Sequence, residues 1–408
     1  MNVSATSQAN ARFSSIQTAP PDAILGLTEA FAADQNPDKM NLSVGVYKNA
    51  AGQTPVLNCV KDAERRLVDD EKTKGYLPID GLASYRERIA DLIFGNSIDR
   101  DRLAILQTPG GTGALRVAAA FMADQLAPIR IWMPNPTWAN HAAVFGSEDL
   151  PMESYRYLGA DKKSFDFAGM LEDLQQKTKP GDAVLLHACC HNPTGVDPTA
   201  EQWEQIAAVL AERNLLPMID FAYQGFGQGL DEDAVGVRAV SQQCSELIVC
   251  NSFSKNFGLY SERVGGMSLV AADGAAAKAA QSQLKRLVRS NYSNPPRHGA
   301  SVVAMILQDA DLTTTWQGEL AEMRNRIRDL RVKFVEVMKQ TGAGHDFSFL
   351  LNQHGMFSFS GLNPMQVDQL RTEHSIYIVG SGRINVAGMT EDRIEMLCEA
   401  IAKVIEGC

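Results

Sequence analysis

What most constrains this chain is an alternation of short apolar runs with helical patterns, beginning near residue 105. Residues 129–133, 183–187, 216–220 and 247–250 are runs with almost no polar interruption. A strand of that kind has both faces buried. Between the runs, segments such as 115–126 and 201–213 repeat apolar residues at helical spacing. Strand–helix alternation predicts an α/β fold, with a largely parallel mixed sheet sandwiched by helices. Chemistry on such a sheet collects at the carboxyl ends of its strands.

The pattern changes in the last quarter. A long helical pattern runs over 312–340, followed by a strand-like stretch at 347–361 and helical patterns at 364–374 and 390–405. These predict a second, smaller α+β domain. Near the N-terminus, residues 1–20 read as an extended arm ending at Pro20 and Pro21, and 24–33 as a helix. Residues 40–47 read as a strand with Gly45 at its active end. The expected division is an arm at 1–20, a small domain from 21–54 and 323–408, and a large domain at 55–322.

The 408 residues suffice for a large core. A formal net charge of -10 without a basic run speaks against nucleic-acid binding. The seven cysteines show no paired framework and no metal-ligand spacing, which points to reduced thiols and no metal site. Cys189 and Cys190 read as part of a buried strand. The N-terminal stretch lacks a signal-like apolar core, and no apolar run approaches the roughly 18 residues a membrane helix needs. A cytoplasmic protein is expected.

Residues 251–263 read Asn-Ser-Phe-Ser-Lys-Asn-Phe-Gly-Leu-Tyr-Ser-Glu-Arg and follow the run that ends at Cys250. Two hydroxyls (Ser252, Ser254), one amine (Lys255) and one guanidinium (Arg263) suit a phosphorylated aldehyde. The amine condenses with the aldehyde while the other groups hold the phosphate, which is the chemistry of pyridoxal phosphate bound as a Schiff base. Residues 108–115, Thr-Pro-Gly-Gly-Thr-Gly-Ala-Leu, form a glycine-rich turn opening a helix, with Gly111 and Thr112 as phosphate contacts. No Gly-Lys-Ser/Thr follows, so this is not a Walker loop. The acidic residue that a dinucleotide fold wants is at best Asp124, inside a helix.

Trp138 and His141 fall on a loop after a strand, where an indole can stack on a flat ring or plug the core. His187 ends a run that turns through Asn192, Pro193, Thr194 and Gly195, and the Asn192 amide can donate to a phenolate-type oxygen. Asp220, at a buried strand end, needs a cationic partner such as a pyridinium nitrogen, and Tyr223 can bond the same ring's 3-oxygen. Arg289 and Arg383 stand isolated in turn-rich stretches, which suits a ligand with two carboxylates.

Together these segments resemble the class I aminotransferases of PLP fold type I, in the branch of homodimeric aspartate and aromatic amino acid aminotransferases. The resemblance runs from about Pro20 to the C-terminus and rests on Ser-Phe-Ser-Lys-Asn-Phe-Gly-Leu-Tyr, Cys-Cys-His-Asn-Pro-Thr-Gly, Asp-Phe-Ala-Tyr-Gln-Gly and Ser-Gly-Arg. It implies that Lys255 carries pyridoxal phosphate and moves the substrate proton. It implies that Asp220 pairs with the ring nitrogen, backed by His141 and His187. Asn192 and Tyr223 would hold the 3-oxygen, and Trp138 would stack on the ring. Gly111, Thr112, Ser252, Ser254 and Arg263 would hold the phosphate, together with Tyr76 from a neighbouring subunit. Arg383, near Gly45, would take the substrate α-carboxylate. Arg289 of the neighbour, with Ser293 and Asn294 close by, would take the side-chain carboxylate. Amino acids and 2-oxo acids are the implied substrates.

Val46, Lys48, Thr54, Thr112 and Asn294 resemble the aspartate branch. Gly75 departs from it, and Tyr-Leu-Pro at 76–78 and Leu-Asn-Gln-His-Gly at 351–355 resemble the aromatic branch. The aspartate reading is favoured, with some aromatic side activity. A β-lyase or decarboxylase would not need Arg289. A ligand-sensing regulator would need a DNA-binding domain, and only about 20 residues, with the single basic side chain of Arg12, precede the fold.

Overall fold

The computed structural model describes residues 13, 15–19 and 25–407. The predicted arm therefore lies largely outside the described residues, as do Pro20, Pro21 and Ile24. Eleven strands are described: β1 (Met40–Asn41), β2 (Leu103–Pro109), β3 (Ile131–Asn135), β4 (Met152–Arg156), β5 (Ala183–His187), β6 (Leu216–Phe221), β7 (Leu247–Ser252), β8 (Val264–Val270), β9 (Phe357–Phe359), β10 (Ile376–Tyr377) and β11 (Arg383–Asn385).

β2 to β8 form one seven-stranded sheet in the order β2-β8-β7-β6-β5-β3-β4. β3 runs parallel to β4 and β5, β5 to β6, and β6 to β7, whereas β8 is antiparallel to both β2 and β7. The alternating residues of β5 explain its uninterrupted apolar run. Val184 and Leu186 enter one buried cluster, and Ala183 and Leu185 enter another. Helices cover both faces, so each side chain of the strand leaves water.

Helix boundaries follow local chemistry. Thr199 and Gln202 form a capping box that starts the helix Ala200–Glu212. Asn363 and Gln366 do the same for Pro364–His374, where Pro364 also stands in the first turn. The long helix Ala310–Gln340 is capped by the Asp309 carboxylate and buries Trp316, Leu320, Met323, Ile327, Leu330 and Phe334 at helical spacing. The smaller α+β domain draws on both chain ends, since β1 pairs in parallel with β10 and β9 pairs antiparallel with β11.

Several expectations need correction. Only Met40–Asn41 of the expected 40–47 strand is paired. The carbonyls of Ser43, Val44 and Val46 instead accept side-chain hydrogen bonds from Arg383 and Asn385. Cys189 and Cys190 are buried but lie beyond β5, in the turn that follows it. His141 stands on a short helix, Asn140–Gly146, rather than on a loop. The 347–361 stretch holds a 3-10 turn, Ser348–Asn352, before the short β9. The last helix, Ile394–Glu406, starts after a separate 3-10 turn, Glu391–Arg393.

Candidate active site

Strand register builds the site. β8 returns antiparallel beside β7, so Ser252 pairs with Gly265 and Pro109 with Val264. The carboxyl ends of β2 and β7 thus meet the amino end of β8. Gly111, Ser252, Ser254 and Arg263 are brought together by that meeting. Ser252 Oγ donates to Ser254 Oγ at 3.1 Å, and Arg263 Nη1 donates to Ser254 Oγ at 3.3 Å and to the Tyr260 carbonyl at 2.9 Å. Gly110 sits at φ 74°, and a Cβ there would stand 2.5 Å from Nη2 of Arg263. Only glycine lets this guanidinium lie against the start of the helix Gly110–Gln125, where free N–H groups attract anions.

On the next strands His187 pairs with Asp220 in register. Asp220 Oδ2 bonds His141 Nε2 at 3.1 Å, His141 Nδ1 bonds Thr137 Oγ1 at 2.8 Å, and Thr137 Oγ1 reaches His187 Nε2 at 3.2 Å. Burial works to raise the Asp220 carboxyl, but the His141 hydrogen bond, with the electrostatic pull of His141 and Lys255, outweighs it. The carboxyl is held below its ordinary range. Burial, reinforced by His141, pushes His187 down to about 3, so the ring is neutral.

Lys255 Nζ lies 4.7 Å from the centroid of the Tyr223 ring. Burial lowers its pKa to about 8, with Asp220 opposing and Arg263 assisting. A substantial neutral fraction near physiological pH is what a nucleophilic or basic amine requires. Burial raises the Tyr223 hydroxyl, which stays a neutral donor.

Arg383 is buried at the mouth. Its Nη2 donates to the Ser43 carbonyl at 2.6 Å and its Nη1 to Asn192 Oδ1 at 3.2 Å, while Nε has no protein partner. Phe357 packs under the guanidinium at 4.2 Å, and a Cβ on Gly45 would stand 2.6 Å from Cζ of Phe357.

One cavity of about 440 Å³ gathers Gly45, Gly111, Thr112, Trp138, His187, Asn192, Asp220, Tyr223, Ser252, Ser254, Lys255, Arg263 and Arg383. His141 stands behind it, fully buried. Three expected residues are elsewhere. Tyr76 is 96% exposed, and Arg289 is exposed at the end of the helix Gly274–Asn291, donating from Nη1 to Ser293 Oγ at 2.5 Å. Ser293 Oγ donates to Asn294 Oδ1 at 3.1 Å, and Asn294 Nδ2 donates to the Leu77 carbonyl at 2.6 Å. Tyr76 and Arg289 are therefore tied into one surface, away from the cavity of their own chain. Tyr260, Phe357, Ala222 and Leu115 line the cavity without having been singled out in the sequence. Tyr260 could have been found inside the lysine segment, whereas Phe357 carries no signal of its own.

The residues fit pyridoxal phosphate. Hydroxyls, a guanidinium and a helix start suit the phosphate; a buried carboxylate suits the ring nitrogen. Trp138 and Ala222 offer surfaces for a flat ring, and an amine stands between the two ends.

A seven-stranded α/β sheet with this lysine-centred pocket, beside a smaller α+β domain, defines PLP fold type I. The chain belongs to the aminotransferase class I and II family, whose profile matches residues 37–401. Aspartate aminotransferase of Haemophilus influenzae is 52% identical over 396 residues, covering 96% of this chain and 100% of that protein. Aspartate aminotransferase of Escherichia coli is 51% identical, with the same coverage. The crystal structure of aromatic-amino-acid aminotransferase from Burkholderia pseudomallei, covalently bound to pyridoxal phosphate, superposes with a TM-score of 0.93. It is 44% identical, covering 97% of this chain and 100% of that one.

Proposed function

We propose that this chain moves an amino group reversibly between L-aspartate and 2-oxoglutarate, giving oxaloacetate and L-glutamate in ping-pong fashion with pyridoxal phosphate. The observation that carries the reading is the meeting of Lys255, Asp220 and Arg383 on one cavity beside an anion cradle. Aspartate as substrate is supported by the names of the Haemophilus influenzae and Escherichia coli relatives. It is supported too by the hydrogen-bonded chain from Arg289 through Ser293 and Asn294, which holds the guanidinium in place.

Pyridoxal phosphate bound here supplies an aldehyde for amines and a protonated ring that takes up the electron pair left by the departing α-proton. Gly111, Thr112, Ser252, Ser254 and Arg263 would hold its phosphate. Asp220 would hold its ring nitrogen, Asn192 and Tyr223 its 3-oxygen, and Trp138 one face of the ring. Asp220 suits that task because His141 keeps it ionised, with Thr137 and His187 behind. Lys255 would take the proton from the substrate α-carbon and return it, on the same face, to the cofactor carbon that carries the nitrogen, as its lowered basicity allows. Arg383 would hold the α-carboxylate, close to Gly45 on the same cavity.

The enzyme works as a homodimer in the cytoplasm, and Tyr76 and Arg289 complete the pocket of the partner subunit. Residues 21–54 and 323–408 form the small domain, 55–322 the large one and 1–20 an arm. Movement of the small domain carries Arg383 and Phe357 over the substrate and excludes water.

A second reading, an aromatic amino acid aminotransferase that also accepts aspartate, is favoured by the rings of Trp138, Tyr260 and Phe357 on the cavity. Comparing kcat/KM for aspartate, glutamate, tyrosine and phenylalanine with 2-oxoglutarate separates the two. Aspartate should lead, and a clear lead for tyrosine or phenylalanine would overturn the choice. Mixing Tyr76→Phe and Lys255→Ala subunits tests the dimer, because hybrids should differ from both parents and simple averaging would count against shared sites.

A further inference from the structure

A second polar cavity, of about 350 Å³, lies outside the site just described. It opens between the 226–228 loop, one face of the helix Ala310–Gln340 and the 351–355 segment. Arg324, Arg328 and Arg331 line it, spaced by four and three residues and so on one helix face. Among the described residues, no Asp or Glu lines it. Asp233 accepts from the backbone N–H groups of Gly225, Gly227 and Gln228, Asp197 from those of Cys190 and His191, and exposed Asp329 pairs with Arg328 at 3.1 Å.

A row of arginines alone would be an ordinary solvated face. Gln353 makes the difference. It lines the same cavity, is 3% exposed, and neither its amide oxygen nor its amide nitrogen has a protein partner. Buried amides are otherwise hydrogen-bonded. Its neighbour His354 is pinned by an N–H bond to the Gly195 carbonyl at 2.8 Å, so the segment cannot simply turn outward.

We infer that this cavity binds a small polyvalent oxyanion, a phosphate or a polycarboxylate, held by Arg324, Arg328 and Arg331 and by the amide of Gln353. Its size falls within the range of small-ligand sites. Arg331 Nη2 also donates to the Gly355 carbonyl at 2.5 Å and the Phe357 carbonyl at 3.3 Å. The anion site and the residue packed under Arg383 therefore share one guanidinium. The inference does not depend on which amino acid the enzyme uses.

Isothermal titration of the cofactor-loaded enzyme tests it, since the cofactor then fills the phosphate cradle. Inorganic phosphate and citrate serve as separate probes, and the tighter of the two identifies the source. At least one should bind with one equivalent per chain. Arg328→Gln and Gln353→Leu should each weaken that binding about tenfold or more, with the cofactor absorbance unchanged. Arg328 is exposed, so its variant tests the site even where Gln353→Leu does not fold. Absence of binding by both probes, or affinity unaltered in the folded variants, overturns the inference.

Discussion

Replacing Gly110 by alanine separates two roles of one residue. Alanine at φ 74° is strained by roughly 1–2 kcal/mol, a cost that falls on the stability of the chain. Its Cβ would also stand 2.5 Å from Nη2 and 3.0 Å from Cζ of Arg263. Ordinary contact is about 3.5–4 Å, so the guanidinium must withdraw by about 1 Å. A charge-assisted pair with the phosphate contributes roughly 1.5–3 kcal/mol. Losing it weakens cofactor binding about 10- to 150-fold. Gly181→Ala is the control: Gly181 has φ 87° but an added Cβ would have nothing within 4 Å, so only the backbone cost remains. The assay titrates each cofactor-free variant with pyridoxal phosphate by absorbance and measures urea unfolding in parallel. Both variants should lose similar stability, and only Gly110→Ala should lose cofactor affinity. If Gly110→Ala binds within twofold of wild type, Arg263 does not hold the phosphate.

Lys255→Ala should lose nearly all transamination while the chain still folds, and retained turnover would end the lysine assignment. Arg289→Leu should reduce kcat/KM for aspartate far more than for phenylalanine, and equal losses would remove Arg289 from side-chain recognition. The ammonium of Lys255 is disfavoured in the folded, cofactor-free chain, so between about pH 8 and its ordinary value of 10.5 the unfolded chain binds more protons. Stability relative to Lys255→Met should therefore rise with pH across that window, and a flat difference in urea unfolding would contradict the burial of Lys255. His141→Leu removes the donor that keeps Asp220 ionised, so kcat should fall and its acid limb should move to higher pH; an unchanged limb would show that His141 does not support the carboxylate.

The strands that could be read from the sequence were those buried on both faces. Ala183–His187 matches to the residue because nothing polar interrupts it. β2, β4 and β8 could not be read in the same way. β2 carries Gln107 and Thr108, β4 is mostly exposed at the sheet edge, and β8 holds Gly265, against which the backbones of Gly110 and Asn251 lie, and Gly266, against which the side chains of Ile89 and Asn251 lie. Residues 40–47 look like a strand, yet their carbonyls face side chains that arrive from residues 383 and 385, a contact no local pattern announces. The residues that share the cavity were legible where a residue type has one chemistry, as with Lys255, Asp220, Arg263 and Arg383, whereas Arg289 does not join them in its own chain. Phe357 was not, because its place under Arg383 is set by the pairing of β9 with β11.

The pairing of β1 with β10 has a consequence for biosynthesis. Everything that surrounds Lys255 in the anion cradle has left the ribosome once Arg263 has emerged. The paired strand for Met40–Asn41 and the guanidinium of Arg383 come more than a hundred residues later. Met40–Asn41 must wait unpaired while more than three hundred residues are added, so the side chains of the anion cradle are made well before the guanidinium proposed for the substrate α-carboxylate.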